Sequence, residues 1–254
     1  METKIPKILH YVWVGGGQKS EKMLECMASW GKVCPDYEVI EWNETNFDIE
    51  NNAWVKLALQ EKNWSLASDI MRAWILFEHG GIYVDTDVEI LKPLDAVLTN
   101  EFFMGYESKH WVNTAIIGSV KGHPILQKIM DRFNNIKLEI TSETNLLAVQ
   151  AYSTVMEMLY KIKPDGKTTI FENGIGLYSK EHFYPQHYLT HKIKITENSL
   201  AIHRCSCTWH SKKQHRTFKF FRAVRRMLGN PIFQVFEGIA AKGYRRTIKK
   251  EFKS

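Results

Sequence analysis

Two carboxylates one residue apart, Asp85 and Asp87, sit in the run Gly80-Gly81-Ile82-Tyr83-Val84-Asp85-Thr86-Asp87-Val88-Glu89. In an extended chain the side chains alternate, so Tyr83, Asp85 and Asp87 share one face and Ile82 and Val84 the other. Two acids on one face repel each other, and burying them unpaired is costly. A divalent cation removes both problems, because hard cations such as Mg²⁺ and Mn²⁺ take carboxylate oxygens. The competing reading is a strand end with two solvated acids, the commoner case for an isolated Asp-x-Asp. Here the Ile-Tyr-Val run puts the pair just past a buried strand, where open α/β sheets bind ligands. That context favours a metal site.

A second pair precedes it. Asp69 and Arg72 are three apart in a segment whose Leu66, Ile70, Ala73 and Phe77 form an apolar helical stripe. They therefore lie on one helix face and can meet. Spacing alone leaves two readings open: a surface ion pair of little energetic weight, or a pair aimed at a polar ligand. Ser65 is the expected N-cap of this helix and Gly80-Gly81 its stop.

The elements around these residues alternate. Residues 7–14 read as a strand running into Gly15-Gly16-Gly17, 21–30 as a helix and 37–42 as a second strand. This is a βαβ unit, the signature of a parallel α/β sheet. The glycines do not form a P-loop, since no Gly-Lys-Ser/Thr follows. Further helices are expected over 51–62, from His123-Pro124 to Phe133, and over 145–161. Strands are expected over 102–106, 112–119, 193–195 and 200–203.

The 254 residues carry a net charge of +6, unevenly distributed. From Lys212 to Ser254 there are 13 Lys+Arg and 2 Asp+Glu, leaving 21 and 26 for residues 1–211, so the tail is +11 and the body −5. This pattern points to an anionic surface as partner, not to nucleic acid gripped by the whole protein. Phe218, Phe221, Val224 and Leu228 fall at helical spacing with Lys219, Arg222 and Arg226 on another face. Such a helix can lie on an anionic membrane or pack on the body, and the two are compatible. A second tail helix is expected over 233–249. With no long apolar run or signal peptide the expected location is cytosolic. Cys26, Cys34, Cys205 and Cys207 are too few for a disulfide framework, and Cys205-Ser206-Cys207 lacks a partner pair for zinc.

Three motifs together, Ile8-Leu9-His10-Tyr11-Val12-Trp13-Val14-Gly15-Gly16, Ala67-Ser68-Asp69-Ile70-Met71-Arg72 and Gly80 to Asp87, resemble glycosyltransferase family 32. That family carries the sugar-binding Asp-x-Asp region and includes bacterial capsular-polysaccharide and yeast outer-chain mannosyl enzymes; the sugar-transferring domains of clostridial toxins look similar. The resemblance covers residues 4–210. It implies an α/β GT-A fold (a Rossmann-like mixed sheet flanked by helices) over 1–211; the charge count adds a basic helical extension over 212–254. It also implies a nucleotide-sugar donor, Mn²⁺ or Mg²⁺, and retention of anomeric configuration. Trp13, flanked by Val12 and Val14, matches the aromatic that stacks on the base. Asp69 matches the acid at the donor ribose and sugar, and Arg72 the cation beside the sugar and its phosphate. Asp85 resembles the first carboxylate, at ribose or metal-bound water, and Asp87 the direct metal ligand. His203 is a further candidate ligand, and Asn113 matches a polar position near the reacting sugar. Thr208-Trp209 resembles the closing loop over the diphosphate, with Thr for the family's Ser. The segment Arg204-Cys205-Ser206-Cys207 departs from the family pattern.

These roles imply front-face attack by an acceptor hydroxyl, with the leaving phosphate as base. A UDP-sugar is the first expectation and a GDP-sugar the second. The expected acceptor is a growing surface polysaccharide or lipid-linked oligosaccharide at the cytoplasmic face of the inner membrane. Two rivals stand beside this reading. Val84-Asp85-Thr86-Asp87-Val88 fits the nucleophile pattern of haloacid-dehalogenase-type phosphatases, with Asp85 as nucleophile, and a non-catalytic sugar-nucleotide-binding relative is also conceivable.

Overall fold

A computed structural model describes residues 2–187, 192–204, 235 and 238–250, leaving aside the side chains of 142–149. A seven-stranded mixed sheet runs in the order β2-β1-β3-β6-β5-β8-β7. Its members are β1 (Ile8–Val12), β2 (Glu38–Trp42), β3 (Gly81–Val84), β5 (Phe102–Ser108), β6 (Trp111–Ser119), β7 (Thr169–Ile170) and β8 (Ile175–Tyr178). β1 is parallel to both β2 and β3, whereas β6 runs antiparallel to β3 and β5. A separate two-stranded antiparallel sheet joins β4 (Val88–Ile90) to β9 (Ala201–His203).

Helices cover both faces, as the α/β expectation requires. α2 (Ala53–Gln60), α3 (Trp64–His79), α4 (Pro124–Asn135) and α5 (Ser142–Tyr160) lie on one side, and α1 (Glu21–Val33) and the short α6 (Lys180–Phe183) on the other. Strand alternation feeds both cores: Tyr83 packs with α3, while Ile82 and Val84 pack with Trp30 of α1.

Local chemistry sets the boundaries. The side chain of Ser20 caps α1, and Asn52 caps α2. Asn63, not Ser65, caps α3 through Leu66 N–H, because its amide oxygen reaches that orphan donor one turn earlier. Gly80 and Gly81 follow with φ of +69° and +94°. A Cβ on Gly81 would meet His10 Nε2 and Ile8 O at 2.9 Å, so glycine is needed where helix turns into strand. The expected strand at 193–195 is absent: Ile193 makes a single bridge to Gln186. Cys26 and Cys34 are buried free thiols.

Residues 238–250 form a helix. Ala241 and Ile248 are buried, Tyr244 stacks near Trp111, and Lys249 pairs with Glu157 at 3.0 Å. This part of the basic extension packs on the body. The expected helix around Phe218–Leu228 lies outside the described residues. Among the described residues, no helix is long and apolar enough to cross a membrane.

Candidate active site

The strand ends at Val84, and Asp85-Thr86-Asp87 form a turn between β3 and β4. The turn divides the two carboxylates between different partners. Asp85 Oδ1 accepts from Tyr83 Oη at 2.8 Å and lies 3.4 Å from Arg72 Nη2. Asp87 Oδ1 lies 3.2 Å from His203 Nε2. His203 reaches it because β9 pairs with β4 in a register that sets it opposite Val88, and Arg204 N–H donates to Asp87 O at 2.9 Å.

α1 holds this turn from below. Trp30 Nε1 donates to Val88 O at 2.8 Å, and Ser29 Oγ accepts from Ile90 N–H at 2.9 Å. Burial, joined by the charges of Asp87 and Glu89, pushes the Cys26 thiol up to about 11. Arg204 donates to Glu89 from Nε at 2.8 Å and also from Nη2, tying the far end of β9 to β4.

Asp69 and Arg72 meet as spacing allows, at 2.9 Å, but they are not a surface pair: the Arg72 side chain is 5% exposed. Every edge of its guanidinium is used. Nη1 donates to Thr114 O at 2.7 Å, Nε to Ser68 O at 3.2 Å and Nη2 to Ser68 Oγ at 3.1 Å. The group stacks over the Tyr83 ring, 4.4 Å from its centroid. Burial works against the Arg72 charge, but the Tyr83, Asp69 and Asp85 oxygens outweigh it and hold its pKa above the ordinary value. Burial likewise raises the Asp69 carboxyl to about 6, against the pull of Arg72.

A β-bulge in β6 completes this wall. The pairing of β5 with β6 jumps between Met104↔Ile117 and Gly105↔Asn113. The extra residues turn the Thr114 carbonyl onto Arg72 and the Ala115 carbonyl onto Asp85 N–H, at 2.9 Å. Asn113 shapes the bulge: its Oδ1 accepts from Ala115 N–H at 2.7 Å and its amide donates to Glu107 at 3.1 Å. Tyr184 locks the same segment, accepting from Ile116 N–H, donating to Asn113 O and packing edge-on to His203.

Trp13 lies just past β1, bound through Nε1–H to Gly17 O at 2.8 Å. With Val14, Gly15, Gly17, Gln18, Ser20, Met23 and Trp64 it lines a cleft of about 210 Å³. Val12 sits behind it in the core. Gly15 has φ +87°, and a Cβ there would meet the Trp64 ring at 2.7 Å. α1 links cleft and turn, since Met23 faces the cleft and Cys26, one turn on, feels the charge of Asp87. Sequence reasoning missed Ser68, Tyr83, Tyr184 and Trp64. Tyr83 carried a signal in its shared face with Asp85, whereas the others follow from tertiary packing. Thr208 and Trp209 lie outside the described residues.

Asp85, Asp87 and His203 offer ligand atoms all within 4.8 Å of one another. Two carboxylates and an imidazole are a donor set that could hold a divalent cation.

Residues 20–104 match the family described as glycosyltransferase sugar-binding region containing DXD motif. Inositol phosphoceramide mannosyltransferase 3 of Schizosaccharomyces pombe is 28% identical over 130 residues, 50% of this chain and 36% of that protein. The chain thus spans little more than a third of the length of that curated relative. An uncharacterized glycosyltransferase of Acanthamoeba polyphaga mimivirus is 25% identical over 197 residues, covering 71% of this chain and 73% of the other. The solved structure of PaToxG glycosyltransferase superposes with a TM-score of 0.52 and 18% identity, over 62% of this chain and 70% of that one. The fold is therefore of the GT-A glycosyltransferase type, as the resemblance implied.

Proposed function

We propose that this chain, which carries the DXD-containing sugar-binding region of glycosyltransferases across residues 20–104, transfers a sugar from a nucleoside diphosphate to a hydroxyl of a glycan or glycolipid. One observation carries the reading. Asp85, Asp87 and His203 converge beside the buried Asp69–Arg72 pair, at the carboxyl ends of the parallel strands β1 and β3. Ligands bind at that end of open α/β sheets.

The residues divide the work as follows. Trp13 and Val14 line the cleft for the base. Asp87, Asp85 and His203 would hold the divalent metal, Mn²⁺ or Mg²⁺, which neutralises charge developing on the departing diphosphate. Arg72, locked by Ser68, Thr114 and Tyr83, presents a fixed positive charge near the same place without reorganising. Asp69, held at the rim by Arg72, is assigned to the donor's ribose and sugar hydroxyls. Asn113 acts by shaping the bulge beside Arg72 and Asp85, and Thr208 and Trp209 are assigned to the diphosphate.

The outcome is assigned as retaining, by front-face attack of the acceptor hydroxyl. The anomeric configuration of the product tests this, and an inverted product would sink it. Calorimetric titration of UDP- and GDP-sugars with Mn²⁺ tests the donor class. Absence of binding by any nucleotide-sugar would remove the proposal. The phosphatase alternative is not supported: Asp85 is engaged by Tyr83 and Arg72, and the family match is to glycosyltransferases. Intact acids and Arg72 likewise argue against a non-catalytic relative.

The acceptor is assigned to a surface polysaccharide or lipid-linked oligosaccharide at the cytoplasmic face of a membrane, with residues 212–254 as a basic tail contacting anionic lipid. The described tail helix presents Ile239, Lys242, Arg246 and Lys250 outward at helical spacing, opposite its buried Ala241 and Ile248. Since deleting it would expose core, the test neutralises Lys242, Arg246 and Lys250 together. Flotation with anionic vesicles should then weaken, and unchanged flotation would count against tail-mediated attachment.

A further inference from the structure

A second cleft, about 490 Å³, is lined by none of the carboxylate-turn residues and sits against the C-terminal half of α3. Its volume falls within the range of small-molecule sites. Three aromatic side chains, Trp42, Phe47 and Trp74, form its apolar surface, and Asp48, Glu78 and His79 stand among its polar groups. Among the described residues no Lys or Arg lines it.

The polar atoms are not all spent on the protein. Trp42 Nε1 is used by His10, and Asp48 accepts from Asn51. Trp74 Nε1–H and the Glu78 carboxylate, by contrast, have no protein partner among the described residues. His79 makes ring contacts with His10 and Trp42 and, among the described residues, no hydrogen bond. The cleft thus offers apolar ring faces, a ready donor and ready acceptors, without positive charge. A phosphorylated or otherwise anionic ligand is disfavoured. A pyranose, with apolar C–H faces and neutral hydroxyls that both donate and accept, matches each of these features.

Position adds a second argument. Trp42 is the register partner of Val12, and its carbonyl accepts from Trp13 N–H at 2.8 Å, so the aromatic cleft begins next to the Trp13 cleft along the same sheet edge. On α3, Trp74 follows Arg72 by two residues, about 200° around the helix. Of the α3 residues at this cleft, Trp74 and Glu78 turn away from the Arg72 face, while Ile75 and His79 lie toward the helix's C-terminal end, beyond Asp69 and Arg72.

We infer that the cleft lined by Trp42, Phe47, Trp74 and Glu78 binds a neutral glycan segment, a subsite separate from the carboxylate turn. In a sugar-transferring enzyme it would hold part of the acceptor away from the reacting end; that role rests on the proposed function, while the binding itself does not.

The test is calorimetric titration of the full chain with maltohexaose and with an α-mannohexaose, without nucleotide or metal. Saturable binding by at least one is expected. Trp74→Ala and, on the exposed rim, Glu78→Gln should each weaken it about tenfold, the equivalent of about 1.4 kcal/mol. Glu78→Gln keeps the result interpretable if Trp74→Ala perturbs folding. No binding at millimolar sugar, or binding unchanged in Glu78→Gln and in a folded Trp74→Ala, would overturn the inference. Binding of choline in place of both sugars would also overturn it, and would mark a cation cage. Metal-dependent donor cleavage, measured in parallel, separates the two readings. Cleavage without glycan binding removes this subsite alone, and glycan binding without cleavage removes only the enzymatic reading.

Discussion

The Oδ1 of Asp87 lies 3.2 Å from the Nε2 of His203, a pairing created by the small β4–β9 sheet and not by the main one. Asp87→Ala should abolish metal-dependent donor cleavage while circular dichroism and melting stay near wild type. His203→Ala, which removes a candidate ligand itself, should weaken Mn²⁺ binding by at least about tenfold, the low end of the loss seen even for groups that only orient a ligand. Turnover at the wild-type level in Asp87→Ala would show that the turn is not the metal anchor.

Arg72 is predicted to matter for folding as well as chemistry. Its removal strands Asp69, and breaking a buried pair costs about 3–5 kcal/mol. Urea melts of Arg72→Ala should show that loss. Arg72→Lys should recover only part of it, because an ammonium cannot reproduce the fork that reaches Ser68 and Thr114. Equal stability of Arg72→Lys and wild type would contradict the geometry.

Tyr83→Phe isolates one hydroxyl. The ring stays beneath Arg72, but the link between Ser68 and Asp85 is lost. About 1 kcal/mol of stability should go, and turnover should fall about tenfold, or about 1.4 kcal/mol of lost alignment. Unaltered kinetics would mean that Asp85 needs no such support.

The residues that announce the site in sequence are those whose types are locally forced. Gly80-Gly81 marked the turn into β3 because only glycine tolerates positive φ against His10, and Asp69 and Arg72 revealed themselves by helical spacing. Strand alternation placed Tyr83 and Asp85 together. The bulge in β6 was not legible, since register depends on how Tyr184 and Arg72 grip backbone carbonyls from elsewhere in the chain. Nor could spacing show that the Asp69–Arg72 pair is buried, because burial comes from α5 and β6. Ile193-Lys194-Ile195 had strand composition but found only Gln186 as partner.

Acid should destabilise the fold through two buried histidines. His10 accepts from Trp42 Nε1–H at Nδ1 and donates from Nε2 to Gly80 O, so protonation would set two N–H groups against each other. Burial lowers both His10 and His123 from 6.5 to about 4. Between those values the unfolded chain binds more protons than the native one, so stability falls as pH drops through that window, by at most about 3 kcal/mol per histidine. Asp69, raised from 3.8 to about 6, opposes this between about 4 and 6, since its native form keeps the proton. Two losses against one gain leave acid destabilising. Denaturant midpoints from pH 7 to 4 check the slope, and a flat profile would contradict it.

Gly15→Ala tests the base cleft. A methyl group there meets Trp64 at a positive φ. UDP affinity should drop about tenfold, or about 1.4 kcal/mol, measured below the melting transition because the strained backbone also costs about 1–3 kcal/mol of stability. Undiminished affinity would place the base elsewhere.

The β4–β9 pairing also fixes when this site can come into being. Glu89 and Arg204, which help clamp its two strands, are 115 apart in sequence, and the register of that pairing is what sets His203 beside Asp87. A nascent chain would expose both aspartates long before their imidazole is synthesised, and non-local pairings of this kind form slowly. A metal site made of these three residues would therefore require docking of β9 onto β4, and completion of the seven-stranded sheet alone would not supply it.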